Sequence, residues 1–394
     1  MTTLDILRNS LIDRTIATNN EKQLSAAANI FESTKEAFMK TSHIIGFLRK
    51  NILMIACILF FVPTLEAQQI VKGQITDATD GLPVEGANIF IANTTIGTSS
   101  DEMGNFSITV SGNGSFEIVV SHVAYKSNVL KINTPQSFHR HDVALEINEL
   151  QEIVVTARSR HKQKDINLFW SKILGEKPSK EGMEVLNPDK VYFFLNNDKI
   201  LKVSCKEPIE VINHQMGYRI KYVLNNFQHD YRKKTTTFSG MPHFEELIPQ
   251  DDLQKNRWEK KRQEVYAFST THFFRALYRK QIHKEGFLLI IKDSSLKGQT
   301  VPLNDILQTE QGMLLANIEV PLLLMCYSKP VTANMIKYCY DDYLRNDSYP
   351  IVIELLPQQF IIYPDGTYSG ILQTQVNRSY IFGLSTTLPV EYGK

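Results

Sequence analysis

The chain has little cysteine, almost no net charge, two tryptophans and no apolar run long enough to cross a bilayer as a helix, and each shortage excludes something. Its four cysteines, Cys57, Cys205, Cys326 and Cys339, are widely spaced, with no C-x-x-C and no Cys/His cluster. That excludes a disulfide framework and a zinc knuckle, and leaves thiols packed as small hydrophobes. One pair, Cys326 with Cys339, stays open to oxidation in an exporting compartment. Lys+Arg 43 against Asp+Glu 42 leaves a formal charge of +1. No global field therefore favours nucleic acid or an anionic membrane surface, and no nucleic-acid partner is expected. G-x-S-x-G, a P-loop and a dinucleotide glycine pattern are all missing, so no cofactor is expected.

What is present is ordinary globular composition, 43% hydrophobic and 22% charged, in 394 residues, enough for two or three domains. Residues 39–67 read MKTSHIIGFLRKNILMIACILFFVPTLEA. Basic Lys40, Arg49 and Lys50 precede an apolar core from Ile52 to Val62, and Leu65-Glu66-Ala67 follows. This is the order of a secretory signal, with cleavage expected after Ala67. Pro63 and Glu66 end the run short of the roughly 20 residues a membrane helix needs. Met54-Ile55-Ala56-Cys57 is faintly like a lipidation box, but the apolar run continues past it. Signals are N-terminal, so residues 1–38 read as an over-extended start upstream of Met39, with a genuine extension as the alternative.

The next domain is expected over 68–147. In Val71 to Phe106, Val71, Gly73 and Ile75, then Ala87, Ile89 and Ile91, alternate with polar neighbours, as one buried sheet face requires. Asp80-Gly81-Leu82-Pro83 and Met103-Gly104-Asn105 supply turn chemistry. Further short strands are expected at Ser107–Val110, Ser115–Ser121, Val129–Ile132 and Asp142–Leu145. The order G-x-I-x-D, G-x-P-V-x-G-A-x-I-x-I, G-T-x-S-D-x-x-G-x-F resembles the carboxypeptidase-regulatory-like domain, from Val71 to about Glu146. The resemblance implies a seven-strand Greek-key β-sandwich of transthyretin (prealbumin) type, a carbohydrate-binding-like fold common in exported Bacteroidetes proteins. One departure is Ala124, where the family usually has glycine before the tyrosine, here Tyr125.

Asn148 to Ala157 is similar to the segment that follows this sandwich in TonB-dependent receptors. A plug and a barrel of roughly 22 strands need more chain than follows Ala157, so a protein other than such a receptor is expected. Arg158 to Lys164 is basic and polar, and residues 148–165 are expected to be an exposed linker.

Residues 166–394 are expected to form an α+β domain with an antiparallel sheet and one long amphipathic helix. A short helix is expected at Ile166–Leu174. Strands follow at Val191–Leu195, Ile200–Ser204, Tyr218–Leu224 and Thr235–Phe238, then the long helix at Asp252–His283. Later strands are Val320–Met325, Ile351–Leu355, Phe360–Tyr363 and Tyr368–Thr374, with a turn at Pro364–Thr367. The runs E-P-I-E-V-I-N-x-x-M-G-Y-R-I-K-Y, F-S-G-M-P-x-F-E-E-L and N-R-W-E-K-K-R-x-E-V-Y-x-F-S-x-x-H-F-F-R-A-L-Y resemble the C-terminal region of a Bacteroidetes family. That family pairs the region with the same sandwich, and it brings no activity.

On the long helix, Trp258, Val265, Tyr266, Phe268, His272, Phe273, Ala276 and Leu277 share one broad arc. Arg257, Lys261, Arg275 and Arg279 border it. With Trp258 they are candidates for holding phosphate, a sulfated glycan or a partner's carboxylates. The plainer reading is a solvated flank partnered by Glu259, Glu264 or sheet carboxylates. His243-x-x-Glu246 has the spacing of two zinc ligands of a carboxypeptidase, but no histidine follows His283 to serve as the distant third. Asp77, Asp80, Asp101, Glu102 and Asn105 are loop oxygens that form no visible calcium cage, and Asx-type turns explain them. His139-Arg140-His141-Asp142 reads as an exposed inter-strand segment.

The expected function is a non-catalytic exported protein of the periplasm, outer membrane or cell surface. Its sandwich serves as a docking, adhesion or carbohydrate-binding-like module, and the C-terminal domain contacts an envelope protein or a glycan. Any membrane contact would come through outer-membrane association. The alternative is a hydrolase acting on envelope peptide or glycan, whose signature would be convergence of His243, Glu246, His272 or Asp251 in one pocket.

Overall fold

A computed structural model describes residues 68–111, 115–133, 140–148, 163–175, 182–292, 299–310, 312–327, 329–337, 351–369, 374–376 and 383–393, with six helical positions between 25 and 36. Residues 1–66 are a unit apart from residues 67–394. The expected signal, Ala67, the receptor-like segment after Asn148, most of the basic run 158–164, His139 and Cys339 lie outside the described residues.

The first domain has seven strands: β1 (Gln68–Asp77), β2 (Asn88–Ile91), β3 (Gly97–Ser99), β4 (Asn105–Ser111), β5 (Ser115–Ser121), β6 (Asn128–Asn133) and β7 (Val143–Leu145). They form two sheets, ordered β4-β1-β7 and β3-β2-β5-β6. β1 runs antiparallel to β4 and parallel to β7, where Ile75 faces Val143. Alternation places Val71, Ile75, Ile89, Ile108, Val110, Ile118, Val120 and Leu145 between the sheets as one core. Gly73 is required by a close approach: a Cβ there would lie 1.8 Å from the His141 carbonyl oxygen. Ala124 is not among the positive-φ residues, so the His122–Tyr125 turn needs no glycine.

A second body is built on β8 (Met183–Val185), β9 (Val191–Leu195), β10 (Ile200–Cys205), β11 (Ile209–Asn213), β12 (Tyr218–Asp230) and β13 (Thr235–Glu246), with α1 (Gln163–Ile173) against it. The β12–β13 hairpin is the spine. β13 lies along one side of β12, while β11 and β10 share its other side, with β8 and β9 beyond them. Phe169 of α1 is fully buried against Phe193 and Phe227.

The single helix expected over Asp252–His283 is two helices, α2 (Asp252–Tyr266) and α3 (Thr270–Tyr278). The break is chemical: Ser269 takes an extended conformation and its hydroxyl accepts from the His272 amide at 3.1 Å, capping α3 afresh. The break serves two cores. Val265 of α2 joins the β8–β13 core, whereas Phe273, Phe274 and Leu277 of α3 enter the next one.

That third body comprises β14 (Phe287–Ile291), the short helix α4 (Leu303–Ile306), β15 (Leu307–Glu310), β16 (Met313–Ile318), β17 (Leu322–Cys326), β18 (Ile351–Leu355), β19 (Gln358–Ile362), β20 (Tyr368–Ser369) and β21 (Thr374–Val376). Two four-stranded sheets, β14-β17-β18-β21 and β15-β16-β19-β20, face each other with α3 over a shared core. β14 and β17 are buried on both faces: Leu289 and Leu324 point into that core, while Leu288 and Leu323 pack under Val331, Met335 and Ile336. The chain is thus mostly β, with antiparallel sheets dominant and few helices.

The sandwich is mortised onto the second body at the β2–β3 turn. Asn93 donates to the Pro242 carbonyl at 2.8 Å, and the Phe244 amide donates to the Thr94 carbonyl at 3.0 Å. Thr94 and His243 thereby form a parallel bridge on the outer edge of β13. Phe90, Ala92 and Val119 of the sandwich pack with Val223 and Met241. The C-terminal segment closes the joint, with the Val390 amide donating to the Asn93 carbonyl at 2.8 Å.

Candidate functional site

Three of the five candidate residues, Arg257, Trp258 and Lys261, come together on the first turns of α2. Asp251 starts this helix by accepting from the Gln254 amide at 2.6 Å. Trp258 is fixed by an indole N–H to the His214 carbonyl at 2.8 Å. Gly217, with φ of +68°, lies so close beneath the ring that a Cβ would sit 2.2 Å from it. One turn on, Arg262 is buried over the Tyr218 ring at 4.0 Å and donates to the Met216 carbonyl at 2.8 Å.

These contacts shape a cleft of about 430 Å³ lined by His214, Gln215, Gln254, Arg257, Trp258 and Lys261. Arg257 is exposed and has no ion-pair partner among the described residues; Lys261 reaches Glu264 at 3.4 Å, and His214 is bonded to Glu184 at 2.7 Å. An anionic group entering here would meet a guanidinium and an ammonium above an apolar floor. Trp258 is only 7% exposed, so its faces are not free to stack on a sugar.

Arg275 and Arg279 are not part of this cleft, because the break at Ser269 puts them on α3. Arg275 is 1% exposed and donates to the carbonyls of Asp365, Val390 and Tyr392 and to the Tyr266 hydroxyl, which leaves its fork no free edge for an anion. Arg279 is exposed at the C-cap of α3, where its amide bonds the Arg275 carbonyl.

The hydrolase set does not converge. His243 and Glu246 alternate across β13: His243 faces the sandwich, its ring 5.0 Å from that of Phe90, and burial holds its imidazole below the ordinary value. Its Nδ1 has no hydrogen-bond partner among the described residues. Glu246 pairs with Arg262 at 3.3 Å. His272 stacks on Tyr266 and reaches Glu285 at 3.2 Å, while Asp251 caps α2. Among the described residues, no group of three or more His, Cys, Asp or Glu side chains is placed to hold a metal ion.

The sandwich oxygens make turns. Asp77 accepts from the Thr79 amide at 2.6 Å and the Tyr125 hydroxyl at 2.9 Å, and these two bonds pull its carboxyl below the ordinary range. Asp80 accepts from the Leu82 amide, and Asp101 from those of Met103 and Asn105. Cys205 and Cys326 are free thiols, each pushed up to about 12 by burial.

Sequence reasoning missed His214, Gln215 and Gln254 as walls of the cleft and Arg262 as its support. The one signal was Met216-Gly217 between two strand-like runs, since a glycine at that turn lets the indole close down on the backbone.

Comparison with known proteins places the first domain. Residues 71–155 match the family model described as CarboxypepD_reg-like domain. The chain is 27% identical over 120 residues to TonB-dependent receptor P3 and 32% identical over 117 residues to TonB-dependent receptor P39, both of Formosa agariphila. It is 34% identical over 122 residues to TonB-dependent receptor SusC of Bacteroides thetaiotaomicron. These matches cover 30%, 29% and 31% of this chain, and only 12%, 11% and 12% of the three receptors. Among the described residues no helix is long and apolar enough to cross a membrane. On this footing, residues 71–155 of the chain are a CarboxypepD_reg-like domain.

Proposed function

We propose that the chain is a non-catalytic docking protein of a bacterial cell envelope, its sandwich fixed to a C-terminal region that contacts an envelope partner. The observation that carries this reading is the joint. Backbone hydrogen bonds between Asn93, Thr94 and β13 and from Val390 to Asn93 hold one end of the sandwich, and the loops at the other end carry exposed Leu82, Met103 and Val123. The CarboxypepD_reg-like domain shared with TonB-dependent receptors, and the export signal expected at 39–67, support the envelope setting. The cleft at Arg257 and Lys261 supports a partner carrying carboxylate, phosphate or sulfate groups. A hydrolase has no comparable support, because its candidate side chains are held in separate structural roles.

Proximity labelling from the C-terminal region in the native envelope tests this reading. The same few envelope proteins recurring in independent preparations is the expected result. Cytoplasmic neighbours only, or no reproducible neighbour, contradicts it.

A further inference from the structure

The end of the sandwich opposite the joint carries a surface of its own. β2 leaves at Ile91 into the joint and begins at Asn88, which faces Ser121 of β5 and Ser99 of β3. The loops at that beginning are therefore the far end. Leu82, Met103 and Val123 stand out there with 62%, 61% and 65% of their surfaces exposed, three large apolar side chains on loops at one end. The loops are tied to one another. The Asp77 amide donates to the Leu82 carbonyl at 2.8 Å, the Gln74 side chain to the Met103 carbonyl at 2.8 Å, and the Tyr125 hydroxyl to Asp77 at 2.9 Å. Each apolar tip is also pre-set locally. Asp80 and Asp101 hold the amides of Leu82 and Met103 at 2.9 and 3.0 Å, and His122 accepts from the Ala124 amide at 3.2 Å. A surface already ordered loses little conformational freedom on binding.

The surrounding charge identifies what fits. Asp80, Glu85, Asp101 and Glu102 are exposed, and none is in an ion pair among the described residues; of the nearby cations, Lys126 is taken by Glu146 at 3.0 Å, and Arg140, which also bonds the Gln74 side chain, by Asp142 at 2.7 Å. Exposed apolar side chains interspersed with unpaired carboxylates on loops at one end suit a protein surface that is apolar with basic residues among it. An anionic lipid surface would repel these carboxylates, and a two-fold contact with a second copy would set them against each other.

We propose that this end of the sandwich is a docking tip, with Leu82, Met103 and Val123 as its apolar anchor and Asp80, Glu85, Asp101 and Glu102 as its acidic groups. Its partner is a protein surface presenting aliphatic side chains with lysine or arginine among them. This rests on the reading of the chain as a docking protein and adds a docking surface on the sandwich, separate from the α2 cleft, and what it accepts.

The test uses the full chain with methyl-labelled Leu, Val and Met, titrated with a synthetic amphipathic peptide of leucine and lysine and with its leucine and glutamate counterpart. The expected result is that the lysine peptide shifts the methyl signals of Leu82, Met103 and Val123 and the glutamate peptide does not. Met103→Asp, and independently Leu82→Asp, weaken binding about tenfold or more while leaving the thermal midpoint unchanged. Equal response to both peptides, or shifts confined to other methyls, overturns the tip. So does binding of phosphatidylglycerol vesicles through these residues, or self-association on sedimentation that Met103→Asp abolishes. Shifts confined to the α2 cleft would remove the tip and leave the docking reading standing, since proximity labelling decides that separately.

Discussion

Arg275 holds the Tyr392 carbonyl at 2.7 Å, and through it the C-terminal segment is bound to α3. The same guanidinium takes the carbonyls of Val390 and Asp365, while the Tyr392 hydroxyl reaches Glu259 of α2 at 2.8 Å and the Val390 amide reaches the sandwich at Asn93. One buried cation therefore joins the second and third bodies to the segment that closes the joint. Arg275→Met leaves three half-buried carbonyls without this donor and is expected to cost on the order of 3 kcal/mol or more in urea unfolding. A change within about 0.5 kcal/mol would show that the clasp is dispensable.

Gly217→Ala is expected to disturb the cleft from beneath. The position has φ of +68° and a Cβ would lie 2.2 Å from the indole of Trp258, so the ring must move. Destabilisation of roughly 2 to 4 kcal/mol is expected, with a changed Trp258 emission in a Trp170→Phe background. Unaltered emission and stability would contradict the described packing.

The joint is expected to weaken in mild acid. Burial lowers the imidazole value of His243 below that of the unfolded chain, so protonation favours the unfolded state. Its contribution is complete above the ordinary value of about 6.5 and is lost as pH falls through the lower folded value. Glu245 acts against this shift, and Lys221 reinforces it. Thermal midpoints measured across about pH 5 to 8 should fall on the acid side, and His243→Leu should flatten that fall. An identical slope in the variant contradicts the assignment.

Much of the sandwich was legible because it alternates. β5 runs over the expected Ser115–Ser121, and the β1, β2 and β4 pattern follows from Val71, Ile75, Ile89 and Ile108. β14 was not legible, since Phe287–Ile291 is a continuous apolar run with both faces buried, and period 2 vanishes when neither face meets water. β11 was hidden in a similar way: Ile209, Val211 and Asn213 are buried and the residues between them half-buried, without clear polar alternation. The helix break was missed because Ser269 sits between two good helical patterns and only its cap contact separates them. Arg275 looked like a border cation by angular position alone, whereas the carbonyls that use it come from residues distant in sequence, which no local pattern shows.

At the α2 cleft, Arg257→Ala with Lys261→Ala should change stability by no more than about 0.5 kcal/mol, since both lie on the outer side of the helix. Retention on a sulfated resin should fall in the double variant and persist in Arg279→Ala. Equal retention in all three proteins would remove the cleft as the anion-binding surface.

A docking tip directed away from the joint requires the sandwich to be held as one body with the rest of the described chain. Backbone amide residual dipolar couplings from residues 71–145 and 191–292 measure this directly. A single alignment tensor fitting both sets is the predicted result. Two tensors of different magnitude, with averaged couplings in the sandwich, would show an independently moving module and contradict the fixed joint.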